Sequence, residues 1–203
     1  MALFLPTYFS PISQYIAISK AASVLFEAED NFQKQTYRNR CYIYGPNGRQ
    51  LLNIPIKHLG GSQKKKTKDT LIDHSVAWQN QHLKSLQIAY RNSPFYEFYE
   101  DDMSPIFTKK HKYLIDLNID THLFIADALQ IDDNYLKTTT FSDTVAKDYR
   151  HLANAKKELN IEFHKYVQVF DDKHGFIPNL SILDLLFMEG PNTISYLENI
   201  PLI

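Results

Sequence analysis

The chain has 203 residues, 44% hydrophobic and 13% aromatic, with a formal net charge of −1. That composition supplies enough apolar surface for one folded core and excludes disordered, collagen-like, coiled-coil and low-complexity classes. The lone cysteine, Cys41, excludes an intramolecular disulfide or a cysteine-built zinc site, and no apolar run of about 18 residues is present to span a membrane.

Met1 to Phe9 has no basic leader and only a short apolar run, so it does not read as a secretory signal. A soluble, cytoplasmic protein is expected, with one domain over 1–203 divided into a sheet-rich half, 1–73, and a mainly helical half, 74–203. Ala2 to Leu5 reads as a short strand. Thr7 to Ala22 reads as a turn and a helix, with Pro11 at its start. Ser23 to Glu29 reads as a second strand, completing a βαβ opening. Arg40 to Tyr44 and Arg49 to Ile56 alternate in polarity around Gly45-Pro46-Asn47-Gly48, the pattern of a hairpin. A short strand is expected near Leu71 and Ile72.

The helical half begins at Ser75, with a helix to Tyr90 carrying Trp78, His82 and Leu86 on one stripe. Ser93-Pro94 and Ser104-Pro105 are start signals for a short helix, Phe95 to Glu100, and for a long one ending near Leu129. Tyr135 to Phe141 and Glu162 to Phe170 are strand candidates, and a short helix runs toward Leu152. Ile182 to Met188 is an apolar helix stopped by Gly190-Pro191, and a last helix ends before Pro201. The predicted class is α/β: a small mixed sheet, opening with the βαβ unit and the hairpin, under a large helical layer.

Charge is unevenly spread. Asn31 to Thr70 holds nine Lys or Arg and one acid, a local +8 that leaves −9 for the rest. Such a stretch attracts phosphate, although edge strands and loops also carry Lys simply to stay solvated. At the end of the second strand Glu27, Glu29 and Asp30 precede Lys34, Arg38, Asn39 and Arg40. Ligands of parallel α/β sheets bind beyond the carboxyl ends of the strands. A carboxylate there can take a proton from an amine, and a guanidinium can clamp phosphate. The alternative for the same residues is a patch of surface ion pairs, each contributing about 0–1 kcal/mol. His82 suits a general base by its ordinary pKa, but its apolar stripe equally suits a core histidine. Ser181 and Asp184 match a capping box. Cys41 reads as a buried, inert thiol. The scattered histidines form no metal-ligand spacing, and the aromatics are not interleaved with the basic run, which argues against nucleic acid.

Four stretches taken together, "PTYFSPISQY", "DNFQKQTYRNRCYIYGPNGRQLLNIPIKH", "WQNQHLKSLQIAYRNSPFYEFYEDD" and "QVFDDKHGFIPNLSILDLLFMEGP", resemble the WbqC-like protein family in its short form. The chain lacks the Gly-rich segment that longer members carry before the last motif, and it has Met188 where the family usually shows Asn. The matching polar positions are Tyr8, Lys34, Asn39, Arg40, Lys57, His82, Ser181 and Asp184. The resemblance implies a bacterial protein of surface-polysaccharide (O-antigen) biosynthesis, with N-acyl or aminoacyl transfer to a nucleotide-linked amino sugar. On that reading Lys34 and Arg40 hold phosphate, Arg38 and Lys57 assist, Asn39 orients a polar group, and Tyr8 is among the substrate-binding residues. His82 or Asp30 is the general base, and the loop Leu59 to Lys68 closes over the ligand. The cofactor, if the reaction uses one, is left open by the sequence. A non-catalytic module that binds a sugar nucleotide or a protein is the alternative.

Overall fold

A short parallel sheet fixes the direction in which several distant segments of the chain run. The computed structural model describes residues 1–57, 65–157 and 159–201. Strand β1 (Ala2–Phe4) leads through helix α1 (Ile12–Ser19) to β2 (Val24–Phe26), and the two strands pair in parallel, Leu3 against Leu25. A third strand, β5 (Tyr135–Lys137), joins β2 from the helical half, also in parallel, so the order is β1-β2-β5. On the free side of β1, Leu3 bridges Asp148 in parallel through Lys147 and Tyr149. Four extended segments therefore end on the same side.

The hairpin β3 (Arg40–Gly45) and β4 (Gly48–Asn53) forms as expected, with Gly48 in the left-handed region at φ +92°, where a side chain would be strained. It makes its own two-stranded antiparallel sheet instead of joining β1 and β2. Its link to the parallel sheet is the turn-rich segment before it, where the Tyr8 amide donates to the Tyr37 carbonyl at 2.9 Å.

Helices supply the other layer. Helix α1 is buried on nearly every side, from Ile12 through Ile18, and packs against α6 (Ile182–Glu189) and α7 (Thr193–Asn199). Helix α2 (Trp78–Tyr90) buries Trp78, His82, Leu86, Ala89 and Tyr90, the stripe read from its spacing, against β3. The next two helices differ from expectation. A single helix, α3 (Tyr96–Thr108), runs straight through Pro105, and α4 (Leu114–Leu129) starts later. Pro105 is exposed, so water can serve the carbonyl that its missing N–H leaves open. A brief helix α5 (Asp171–His174) precedes α6.

Two expected elements of the C-terminal half are absent. Glu162 to Phe170 is not a strand: its carbonyls at His164 and Phe170 accept from the hydroxyls of Tyr196 (2.5 Å) and Tyr44 (3.0 Å) and not from a neighbouring strand. The segment before Leu152 is a bend followed by a 3₁₀ turn, Arg150–Ala153. Ser181 caps α6 as read, its Oγ accepting from the Leu183 amide at 3.3 Å and donating to the Phe9 carbonyl at 2.9 Å. Asp184 does not complete a capping box. It is fully buried and accepts from the hydroxyls of Tyr90 (2.7 Å) and Tyr166 (2.6 Å) and from Gln168 Nε2 (2.9 Å). Burial pushes its pKa up against those three donors. Tyr90 in turn accepts from the Tyr44 amide at 2.9 Å, so this carboxyl ties α6 to α2, the hairpin and the 166–168 segment. No helix of the described residues is long and apolar enough to cross a membrane.

Candidate functional site

Beyond the carboxyl ends of β1, β2 and the Asp148 segment lies a cleft of ≈ 630 Å³. Its walls come from the β2 exit (Glu29, Asp30), from Thr36 and Arg38, from Lys66, and from Phe141, Arg150 and His151. Parallel pairing explains the convergence: every segment that enters the sheet in one direction delivers its next residues to the same rim.

Each cation at this rim meets a carboxylate. Arg38 is 2% exposed, pairs through Nη2 with Asp30, and donates through Nη1 to Thr36 Oγ1 at 3.2 Å. Burial lowers its pKa, and Asp30 works against that shift. The other oxygen of Asp30 accepts from Thr67 Oγ1 at 2.5 Å. Nε of Arg38 is buried and has no partner among the described residues. Arg150 grips Asp148 through Nε (3.0 Å) and Nη2 (2.6 Å), and its Nη1 lies 3.4 Å from Glu27. Hydrogen bonds to Asp148 raise the Arg150 pKa. Glu27 is wholly buried and accepts from the Glu29 amide (2.8 Å) and Thr138 Oγ1 (2.6 Å). Glu29 takes Lys66 (2.5 Å) and Lys68 (2.6 Å), and those hydrogen bonds lower its pKa. The Arg150 guanidinium also lies 5.1 Å from the centroid of the exposed Phe141 ring.

The residues proposed from sequence fall into separate places. Asp30 and Arg38 line the cleft. Lys34, Asn39 and Arg40 share a smaller depression of ≈ 450 Å³ with Asn53 and Ile54, where Asn39 Nδ2 donates to Asn53 Oδ1 (3.2 Å) and to the Ile54 carbonyl (3.1 Å). Tyr8 and His82 lie in the interior, 0% and 4% exposed, hydrogen-bonded to each other at 3.0 Å beside Trp78. Burial pushes the His82 pKa down to about 4, so the ring is neutral near pH 7. Lys57 is exposed, and its amide donates to the Leu71 carbonyl at 2.9 Å. Of the loop from Leu59 to Lys68, residues 59–64 lie outside the described residues; Lys66, Thr67 and Lys68 hold Glu29 and Asp30. Cys41 is buried, and burial pushes its thiol up. No group of three or more potential metal ligands occurs among the described residues.

Sequence reading missed Arg150, Phe141 and His151. The available signal was Asp148-x-Arg150, a carboxylate two residues ahead of a guanidinium, which also accepts from the Arg150 amide at 2.9 Å.

The family model of the WbqC-like protein family matches residues 6–162 and 146–196. The chain belongs to the WbqC-like protein family. This WbqC-like chain is also similar to an uncharacterized protein of Mycobacterium tuberculosis, Rv1507c, at 26% identity over 195 residues, covering 82% of the chain and 84% of the relative. No solved structure matches.

Proposed function

We propose that this WbqC-like protein is a cytoplasmic enzyme of surface-polysaccharide (O-antigen) precursor biosynthesis that transfers an acyl or aminoacyl group to a nucleotide-linked amino sugar, with the sugar in the cleft. The observation that supports this reading best is the row of carboxylate–guanidinium pairs at the carboxyl ends of parallel strands. Such pairs offer donors and acceptors side by side, which suits hydroxyl and amine groups better than it suits a bare anion.

The chemistry follows from the two innermost groups. An amine attacks the acyl carbonyl, and a C–N bond forms as the carbonyl electron pair moves to oxygen. Collapse of that oxyanion expels the leaving group. Asp30 keeps lone pairs for the proton that the amine must lose, since each oxygen has one protein donor. The guanidinium of Arg38, which lines the cleft beside Asp30, supplies the positive charge that stabilises the developing oxyanion. His82 sits in the core in this reading and takes no part in proton transfer.

The non-catalytic alternative draws on the same network, because the acceptor capacity left on Asp30 can also serve simply to hold a ligand. Calorimetry with a UDP-linked amino sugar, alone and with an acyl donor, separates the two. Binding at a hundred times the dissociation constant stabilises by about 2.7 kcal/mol in a thermal shift. An Asp30→Asn variant that binds the sugar nucleotide but forms no amide supports the enzyme. Wild-type protein that binds and forms no product with any acyl donor leaves the binding module, and absence of binding removes both.

A further inference from the structure

A second cavity, ≈ 620 Å³, backs onto the first. The wall between them is thin. Thr36 and Arg38 face the cleft while Tyr37, between them in the turn that precedes the hairpin, lines the second cavity. The Tyr37 amide donates to the Ala153 carbonyl at 2.8 Å, and there the neighbouring segment also changes sides: Ala153 and Asn154 face the cleft, Ala155 to Lys157 the other cavity.

The two cavities differ in charge. The cleft carries Glu29 and Asp30 beside its cations. The second cavity carries Arg49, Lys156 and Lys157, and no carboxylate lines it among the described residues. Its Arg49 is held in place, stacked 3.7 Å from the centroid of Tyr42. Its floor is apolar, with the half-buried rings of Phe163 and Phe176. The volume lies in the range of small-molecule pockets, roughly 300–1,000 Å³. A flat apolar group and a multiply charged anion thus have complementary surfaces a few residues apart.

We infer that this groove is a separate binding site for a nucleoside diphosphate, its phosphates on Arg49, Lys156 and Lys157 and its base on the Phe163–Phe176 floor. The site lies beyond the sugar cleft and does not rest on the reading of that cleft. The +8 stretch read from sequence contributes one member here, Arg49; the other two cations come from a distant segment.

The test is calorimetry with UDP and with uridine on wild type, on the Lys156→Ala/Lys157→Ala double variant and on Arg150→Ala, at low and moderate salt. Both lysines are exposed, so the double variant keeps the core intact. UDP is expected to bind wild type and Arg150→Ala alike, and to bind the double variant at least about tenfold more weakly. Binding is expected to weaken with salt and to drop for uridine. UDP binding that survives in the double variant overturns the inference. If Arg150→Ala abolishes that binding, the phosphates sit in the cleft, and the proposal for the cleft stands without this second site. No UDP binding to wild type overturns the groove directly, and the amino-sugar titration then decides the cleft alone.

Discussion

Asp30 and Arg38 form an ion pair in which the guanidinium is 2% exposed and the carboxylate side chain 9%. The pair joins the exit of β2 to the segment that leads into the hairpin, and Thr67 closes it from the far side. Removing one member leaves a desolvated charge without its partner, which costs about 3–5 kcal/mol. Arg38→Ala is therefore expected to lower stability by that amount in urea denaturation, well beyond a surface ion pair. A loss under about 1 kcal/mol would mean that solvent reaches the pair freely.

Ligand recognition is expected to follow the cleft and not the run of basic residues in the sequence. Arg150 lines the cleft; Arg40 lies in another depression. Loss of a charged hydrogen bond costs about 1.5–3 kcal/mol, so Arg150→Ala should weaken the binding of a UDP-linked amino sugar by roughly ten- to 150-fold. Arg40→Ala should leave that affinity within about twofold, a difference of under 0.5 kcal/mol. The reverse ranking in calorimetry moves the site to the Arg40 depression.

Two buried histidines make stability depend on pH in a stated direction. His82 bonds Tyr8, His122 bonds Tyr15, and burial pushes each imidazole down to about 4 from the usual 6.5. The unfolded chain therefore binds more protons than the folded one between those values. Stability is full above about pH 6.5 and falls as pH drops toward 4, by about 1.4 kcal/mol per pH unit for each ring once the unfolded histidine is protonated. Urea midpoints at about pH 7 and about pH 5 measure the slope, and His82→Gln should reduce it by about one proton. An unchanged slope would place that ring in contact with water in the native state.

How far the sequence revealed this arrangement depends on the distance over which each contact acts. The βαβ opening, the Gly-bearing hairpin turn and the Trp78–His82–Leu86 stripe are local patterns, and each stands where its spacing put it. Asp30 and Arg38 were legible because the strand and the basic segment are eight residues apart. Arg150 was not, because it reaches the cleft only through the parallel bridge between Leu3 and Asp148. Nothing in the local pattern of 143–152 announces that pairing. Asp184 shows the converse: its spacing from Ser181 resembles a cap, while its partners Tyr90 and Tyr166 come from other parts of the chain. Net charge misled for a related reason, since carboxylates brought in by the fold neutralise Lys66 and Lys68.

Gly190 is the position where backbone freedom matters most. It ends α6 at φ +53°, and a Cβ built there would lie 2.5 Å from the Phe95 ring. Both features oppose a side chain: the left-handed conformation is unfavourable for L-residues, and the half-buried ring packs against the core. Phe95 is also tied by its backbone, donating to the Phe187 carbonyl at 3.1 Å, so it has little room to retreat. Gly190→Ala is expected to destabilise the protein by about 2–4 kcal/mol, combining roughly 1 kcal/mol of backbone strain with 1–3 kcal/mol of overpacking. The check is a paired denaturation experiment with Gly175→Ala. Gly175 also has positive φ, +70°, but open space where its Cβ would go, so that variant should show the strain without the clash. Equal losses in the two variants would mean that Phe95 moves aside at no cost.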